Sequence, residues 1–234
     1  MGLPATISNA VHRFSTPLRR RYYCEGKGRE AVPRLPRAMR TRLGLDDASA
    51  VGSRRIEIGG GPFPQPGYVH VDIDPHARHL EAFAPAWKLP FPDGWASEIL
   101  AIHSLEHVHP KMLLPTLREW NRALAPGGRV QVHVPNTPEL VESFLSSPVE
   151  GKWATMGSVL GMYCNPDVRD PDELAVRSDH QLMFDWELLS WALTSAGFVE
   201  PEDLTETVVD RHTESWRDVV PHYSLVGAAT KEPR

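Results

Sequence analysis

The stretch IEIGGGPFPQPGYVHVDID, residues 56–74, most constrains the fold of this 234-residue chain. Residues 55–58 form a short apolar-rich segment typical of a strand, and residues 68–72 form a second one that ends on an acid. The glycines between them let a ligand approach the backbone closely, because side chains there would block it. Asp72, at the end of the second strand, is placed to accept hydrogen bonds from ribose hydroxyls.

The rest of the chain alternates strand and helix patterns. Residues 98–103 and 129–134 are predicted strands. Between them, apolar residues recur at helical spacing: Leu113, Leu114, Leu117, Trp120 and Leu124. Residues 125–128 (Ala-Pro-Gly-Gly) end that predicted helix. Residues 186–196 predict another amphipathic helix, and the tail predicts a terminal pair of strands at about 204–210 and 223–230. This alternation predicts a parallel sheet covered by helices on both faces.

Charge divides the chain into a basic N-terminal arm, residues 1–53, and an acidic body. Residues 1–42 hold ten Lys/Arg against Glu25 and Glu30, whereas the remaining 192 residues hold 15 basic and 28 acidic side chains. We interpret the arginine run at residues 19–21 as a patch that docks on the acidic body. No apolar run approaches the roughly 20 residues of a membrane helix, so no membrane span is expected. Cys24 and Cys164 match no metal or redox spacing, which predicts a reducing, cytoplasmic location.

A dinucleotide-binding loop does not fit the glycine stretch. The GxGxxG pattern would need glycine at position 64, which is Pro64. Asp72 also follows Glu57 by 15 residues, whereas the acid of the dinucleotide pattern lies about 20 residues on. These two departures exclude a nicotinamide-dependent oxidoreductase.

The motifs EIGGG, VDID, LPFPDG, LEHV, LAPGGRVQVHVPN and AGF, in this order, resemble the class I S-adenosylmethionine-dependent methyltransferases over about residues 54–230. The resemblance implies an α/β fold with a doubly wound, mostly parallel seven-stranded sheet, the Rossmann-like methyltransferase fold. It also implies S-adenosyl-L-methionine as the cofactor. The residues that would bind it are Glu57, Gly59, Gly60, Gly61, Asp72, Ile73, Trp87, Leu89 and His103.

Within that set, the resemblance implies different contacts. The glycines would hold the methionine part, Glu57 would anchor their loop, Asp72 would bind the ribose, and Leu89 would lie near the adenine. Residues 84–88 lack the acid that such proteins often carry before LPF. Adenine recognition would then rest on backbone groups and on the face of Trp87, which could equally be a core residue.

The stretch IHSLEHVHP, residues 102–110, is the second candidate site. In a helical turn, His103, Glu106 and His107 would share one face, because residues three and four apart are neighbours there. Two imidazoles and a carboxylate suit a divalent transition metal. Local capping and hydrogen bonding are the alternative. Without a metal, His103 could serve as the general base.

The HxxEH spacing resembles the ExxEH pattern of metal-dependent O-methyltransferases that modify small-RNA 3′ ends and of ubiquinone-pathway O-methyltransferases. In the RNA enzymes a further histidine precedes an F/W-containing segment, and His180 stands in that place here. The resemblance therefore implies a catalytic metal site, for Mg, Mn or another transition metal. Its candidate ligands are His103, Glu106, His107 and His180.

We expect a methyltransferase domain at residues 54–234 with a lid insertion at about 140–180. The sequence also resembles sugar O-methyltransferases of actinobacterial polysaccharide and glycolipid clusters, which implies transfer to a hydroxyl of a sugar or oligosaccharide. A nucleic-acid partner is not expected, because phosphate binding requires a basic face. An RNA 3′ end, a small aromatic diol and a non-catalytic cofactor-binding role are the alternatives. Base rates favour a homodimer.

Overall fold

The computed structural model of the protein describes residues 54–61, 64–73, 77, 79–160, 180–209 and 223–233. The predicted arm at residues 1–53 and the second part of the predicted lid, residues 161–179, lie outside these ranges, as do both cysteines. In the described part of the chain, no helix has the length and apolar character that crossing a membrane requires.

Seven strands form one sheet in the order β3-β2-β1-β4-β5-β7-β6. All pairs from β3 to β5 are parallel, whereas β7 runs antiparallel to both β5 and β6. The predicted mostly parallel, seven-stranded α/β fold is therefore confirmed, whereas helices on both faces of the sheet are not seen within the described ranges. The strands are β1 (Arg54–Ile58), β2 (Val69–Asp72), β3 (Ala82–Phe83), β4 (Ala96–Ile102), β5 (Leu124–Pro135), β6 (Phe198–Asp203) and β7 (Ser224–Lys231).

Five α-helices accompany the sheet within the described ranges. They are α1 (Leu113–Ala123), α2 (Thr137–Ser146), α3 (Val149–Leu160), α4 (Trp186–Ser195) and α5 (Thr205–Val209). Helix α1 buries Leu117 and Trp120 completely, as its predicted apolar stripe requires. Helix α4 begins at an Asp185 cap, whose carboxylate accepts a hydrogen bond from the Leu188 amide at 2.8 Å.

The two faces of the sheet differ in what packs on them. On the first face, Ile56, Ile58 and Val132 belong to the main apolar cluster, together with the buried residues of α1 and α4. Alternate residues of a strand point to opposite faces. The residues that alternate with these along each strand therefore point to the second face. Leu100 and Ile102 form a separate small cluster there with Tyr68.

The predicted strand at residues 204–210 is wrong. The sheet instead ends on β6, and residues 205–209 form the short helix α5. Pro201 and the acidic residues around it conceal β6 in the sequence, yet proline is tolerated there because β6 is an edge strand. The Asp203 carboxylate accepts a hydrogen bond from the Thr205 amide at 2.9 Å, which helps to turn the chain out of the strand.

Candidate functional site

The glycine loop leaves β1 in a conformation that favours glycine. Gly59 and Gly61 have φ angles of 72° and 53°, in the left-handed region. The Gly59 amide donates to the Val71 carbonyl at 2.8 Å, which ties the loop to β2. A β-carbon at Gly59 would lie 2.5 Å from that of Ser104, so this glycine is also required by the close approach of the segment after β4.

Glu57, in β1, contacts the chain that follows the glycines. Its carboxylate is fully buried and accepts a hydrogen bond from the Gln65 amide at 2.6 Å. The same oxygen lies 2.9 Å from Nδ1 of His70, and a β-carbon at Gly60 would meet it at 2.9 Å. Glu57 therefore holds the segment that follows the glycines, whereas its role as the anchor of a cofactor-binding loop stays a prediction.

Asp72 lies half-buried at the carboxyl end of β2, beside the glycine loop. Its carboxylate accepts a hydrogen bond from the Gly61 amide at 3.3 Å. Ile73 follows it and is also half-buried. The predicted ribose-binding acid and the predicted methionine-binding loop therefore share one edge of the sheet.

The backbone around Leu89 is held by α1. The Leu89 amide donates to Glu119 at 2.7 Å, and Arg122 donates to the carbonyls of Phe91 at 2.9 Å and Leu89 at 3.4 Å. The Leu89 amide and the Leu89 and Phe91 carbonyls are therefore hydrogen-bonded within the protein, and recognition of the adenine by backbone groups of this segment stays a prediction. Trp87 is half-buried in the turn just before Leu89.

The histidine segment follows the carboxyl end of β4. His103 adopts a φ of 47°, a left-handed conformation that is uncommon for a residue with a side chain and that often marks functional sites. The predicted helical turn exists as a short 3-10 turn, Leu105–His107. His109 is exposed, and its Nδ1 accepts a hydrogen bond from the Lys111 amide at 3.2 Å, so it caps the next turn.

Three of the four predicted ligands converge. Glu106, His107 and His180 each offer one donor atom, and these atoms lie within 4.8 Å of one another. The segment after the lid is fixed to this place, because the amides of Gln181 and Leu182 donate to the Glu106 carbonyl at 2.7 and 3.1 Å. His180 is further held by its Nδ1, 3.0 Å from the carbonyl of Val159 in α3.

His103 does not join this group, which departs from the predicted four-residue metal site. Its Nδ1 lies 3.2 Å from Oε1 of Glu106, and its Nε2 lies 2.9 Å from the hydroxyl of Ser224. Both ring nitrogens are therefore engaged by protein groups. Ser224 is nearly completely buried at the start of β7 and was missed in the sequence, because no local motif marks a serine 121 positions away.

The titration of the cluster suits metal ligation. Burial raises the pKa of Glu106, but the hydrogen bond from His103 and the imidazoles of His107, His103 and His180 lower it below its ordinary value. Burial lowers the pKa of His180 and outweighs the attraction of Glu106. An ionised carboxylate beside a neutral imidazole is the state in which these side chains bind a metal.

No protein-family model and no curated protein matches the chain. Its fold is similar to that of solved methyltransferases. The CurJ carbon methyltransferase is 18% identical over 78% of this chain and 49% of its own, with a TM-score of 0.44. Phosphoethanolamine N-methyltransferase 2 of Haemonchus contortus, bound to phosphomonomethylethanolamine and S-adenosylhomocysteine, is 15% identical over 84% and 52%, with a TM-score of 0.44.

A SAM-dependent methyltransferase from Methanosarcina mazei is 17% identical over 77% of this chain and 93% of its own, with a TM-score of 0.46. The chain spans about half the length of the CurJ and Haemonchus contortus proteins. Identities and TM-scores this low do not identify a reaction or a substrate for this chain.

Proposed function

We propose that the protein is an S-adenosylmethionine-dependent O-methyltransferase that methylates a hydroxyl of a sugar or oligosaccharide, assisted by a divalent metal. One observation carries the proposal: the glycine loop follows β1, the cluster segment follows the neighbouring strand β4, and Ser104, two positions before Glu106, contacts the loop. The link is Ser104, which touches the space beside Gly59 and donates to the Ile58 carbonyl at 2.9 Å. A methyl donor bound at the loop and a methyl acceptor bound at the cluster would thus be neighbours.

The glycine loop and Asp72 support the proposal that S-adenosylmethionine binds at this edge of the sheet. The loop presents backbone without side chains at the carboxyl end of β1, where ligands of parallel sheets gather. Asp72 stands beside it at the end of the next strand and could accept hydrogen bonds from ribose hydroxyls. Trp87, half-buried two positions before Leu89, is the aromatic side chain that would stack on the adenine.

The donor set fits a metal ion. Oε2 of Glu106 is buried and has no hydrogen-bond partner among the described residues, although a buried carboxylate oxygen without a partner is costly. A cation between Glu106, His107 and His180 would supply that partner. Two nitrogens and one oxygen favour Mn, Fe, Co or Zn over Mg. When bound, such a metal lowers the pKa of a coordinated hydroxyl, which prepares it for attack on a sulfonium methyl group.

His103 takes a supporting part in this proposal. Its Nδ1 contact with Oε1 of Glu106 orients the carboxylate, and Ser224 fixes the imidazole from the other side. Partners of this kind orient metal ligands in many sites. Oε1 of Glu106 also lies 3.8 Å from Nε2 of His180, so the oxygen that His103 orients is the one that faces this histidine. The acceptor hydroxyls would occupy the positions that Glu106, His107 and His180 leave open.

A turnover experiment tests the proposal. Transfer of a labelled methyl group from S-adenosylmethionine is measured with mannose- and glucose-based acceptors, before and after chelation, with Mn²⁺ or Mg²⁺ added back. We expect activity that chelation removes and the metal restores. Full activity in the chelator would contradict the metal site. Turnover only with an RNA 3′ end or an aromatic diol would contradict the saccharide acceptor.

The chain offers a matched pair of variants for this assay. His107→Asn removes a proposed ligand, whereas His109→Asn changes an exposed histidine two positions away and preserves a side chain that can cap the turn. We expect the first to abolish metal-dependent turnover and the second to retain it. Equal losses would show that the segment acts through its fold and not through ligation.

A further inference from the structure

Within the described residues, the second face of the sheet lacks the helices that the connections between its parallel strands would normally place there. Crossovers between parallel strands are right-handed. From β1 the chain moves through β2 to β3 in one direction, and from β4 to β5 it moves in the other. The connections of the two halves therefore cross opposite faces. Because α1 joins β4 to β5 on the first face, the β1–β2 and β2–β3 connections must cross the second.

Neither of these two connections contains a helix among its described residues. Residues 59–68 join β1 to β2, and residues 73–81 join β2 to β3; their described positions are turns, bends and irregular chain. Both are shorter than the dozen or more residues that a crossover with a helix usually takes. The second face must therefore be covered by another part of the chain or by a partner.

The second face is nevertheless buried. Leu100 is 2% exposed, Ile102 is 6% exposed and Glu57 is completely buried. The apolar cluster on this face consists of Leu100, Ile102 and the partly buried Tyr68, and it includes no helix residue within the described ranges. Burial to this degree, with no described helix over it, points to a segment outside those ranges.

The same face carries acidic groups. Oε1 of Glu57 is buried and has no hydrogen-bond partner among the described residues. Glu98, two residues before Leu100, accepts a short hydrogen bond from the hydroxyl of Tyr68. Arg55 stacks on the Tyr68 ring, with its guanidinium 4.7 Å from the ring centre. His70 already lies 2.9 Å from Oε2 of Glu57, so Oε1 is the acidic atom on this face that a cation of an occupant would still satisfy, beside the apolar cluster.

We propose that the occupant is the N-terminal segment of the same chain, residues 1–53, lying across the second face over β2, β1 and β4. The segment joins β1 directly at Arg54, in the middle of the sheet. Three strands span roughly 10–15 Å, which a segment of this length easily crosses. Its first 42 residues hold ten Lys/Arg against two acids, which complements Glu57 and Glu98.

This placement gives the segment a connection to the glycine loop, since Glu57 holds that loop from the covered face. The inference does not depend on the proposed reaction. It rests on the sheet order, on the shortness of the β1–β2 and β2–β3 connections, whose described residues contain no helix, and on the burial of the second face.

Photocrosslinking of the full chain tests the proposal. The variant Tyr68→benzoylphenylalanine places a photoreactive aromatic ring within the second-face cluster. The matched control is Trp191→benzoylphenylalanine, since Trp191 is 54% exposed on α4, which packs on the first face. Each protein is mixed with an isotope-labelled copy, irradiated, and mapped by mass spectrometry, so that links within a chain and between chains are distinguished.

We expect links within one chain from position 68 to peptides of residues 1–53, and loss of these links in the control. Links to the labelled copy would overturn the proposal in favour of a second molecule. Links only to residues 161–179 or 210–222 would overturn it in favour of those segments. Absence of any product would show an open face and also overturn it. If the first variant fails to fold, Glu98→benzoylphenylalanine probes the same face from β4, which the proposed segment covers.

Discussion

The substitution Gly59→Ala tests the packing of the glycine loop most sharply. The new β-carbon would lie 2.5 Å from that of Ser104, closer than carbon atoms can approach. Relieving such overpacking costs about 1–3 kcal/mol. The φ of 72° adds roughly 1–2 kcal/mol, because a β-carbon is disfavoured in the left-handed region. We expect the free energy of unfolding to fall by roughly 2–5 kcal/mol in urea titrations.

Gly61→Ala is the matched control, because it isolates the conformational part of this cost. Gly61 has a φ of 53°, but nothing lies within 4 Å of a β-carbon there. We expect this variant to lose only about 1–2 kcal/mol. Equal losses in the two variants would refute the reasoning, since they would show that the loop does not press on Ser104. The buried tryptophans provide the fluorescence signal for both titrations.

Three further outcomes are expected. Glu106→Gln should remove calorimetrically detectable Mn²⁺ binding, whereas His103→Gln should weaken it by about 10–100-fold; equal effects would make His103 a direct ligand. Arg122→Met should reduce the free energy of unfolding by roughly 1–3 kcal/mol, because two backbone carbonyls lose a charged donor; an unchanged urea midpoint would argue against that clamp. The hydrogen bond from Arg122 lowers the pKa of Asp93, so this carboxylate stabilises the fold above the ordinary Asp pKa and ceases to do so as pH falls through its lowered pKa. Asp93→Asn should therefore differ slightly from the wild type at neutral pH and converge with it in acid, whereas a gap that widens in acid would reverse the sign.

The sequence predicts the parallel half of the fold well, because β1, β2 and β4 are short apolar-rich segments that lie beside glycine or acidic residues. It does not reveal β3, whose two residues are too short for a periodic signal. It also misplaces the strand β6. Pro201 argues against a strand in the sequence, because proline is tolerated only at a sheet edge, and the edge position of β6 is known only from the strand order of the sheet. Helix α3 was not predicted within the lid.

The candidate site shows a similar division. The glycine loop and the turn that contains Glu106 lie in short local motifs, so the sequence locates them, although the spacing of three and four residues wrongly groups His103 with the proposed ligands. The partners of His103 depend on contacts between distant parts of the chain, and Ser224 belongs to a strand that the sequence does not relate to the histidines. The engagement of the Leu89 backbone by Glu119 is likewise a tertiary contact that no motif records.

Binding of S-adenosylmethionine to the full chain, measured by titration calorimetry, tests the central claim most directly. We predict saturable binding at one site per chain. Asp72→Asn should weaken it by roughly tenfold or more, because a charged acceptor for the ribose hydroxyls is lost. Absence of binding by the wild type, or binding that the Asp72 substitution leaves unchanged, would contradict the proposed cofactor site at the carboxyl ends of β1 and β2.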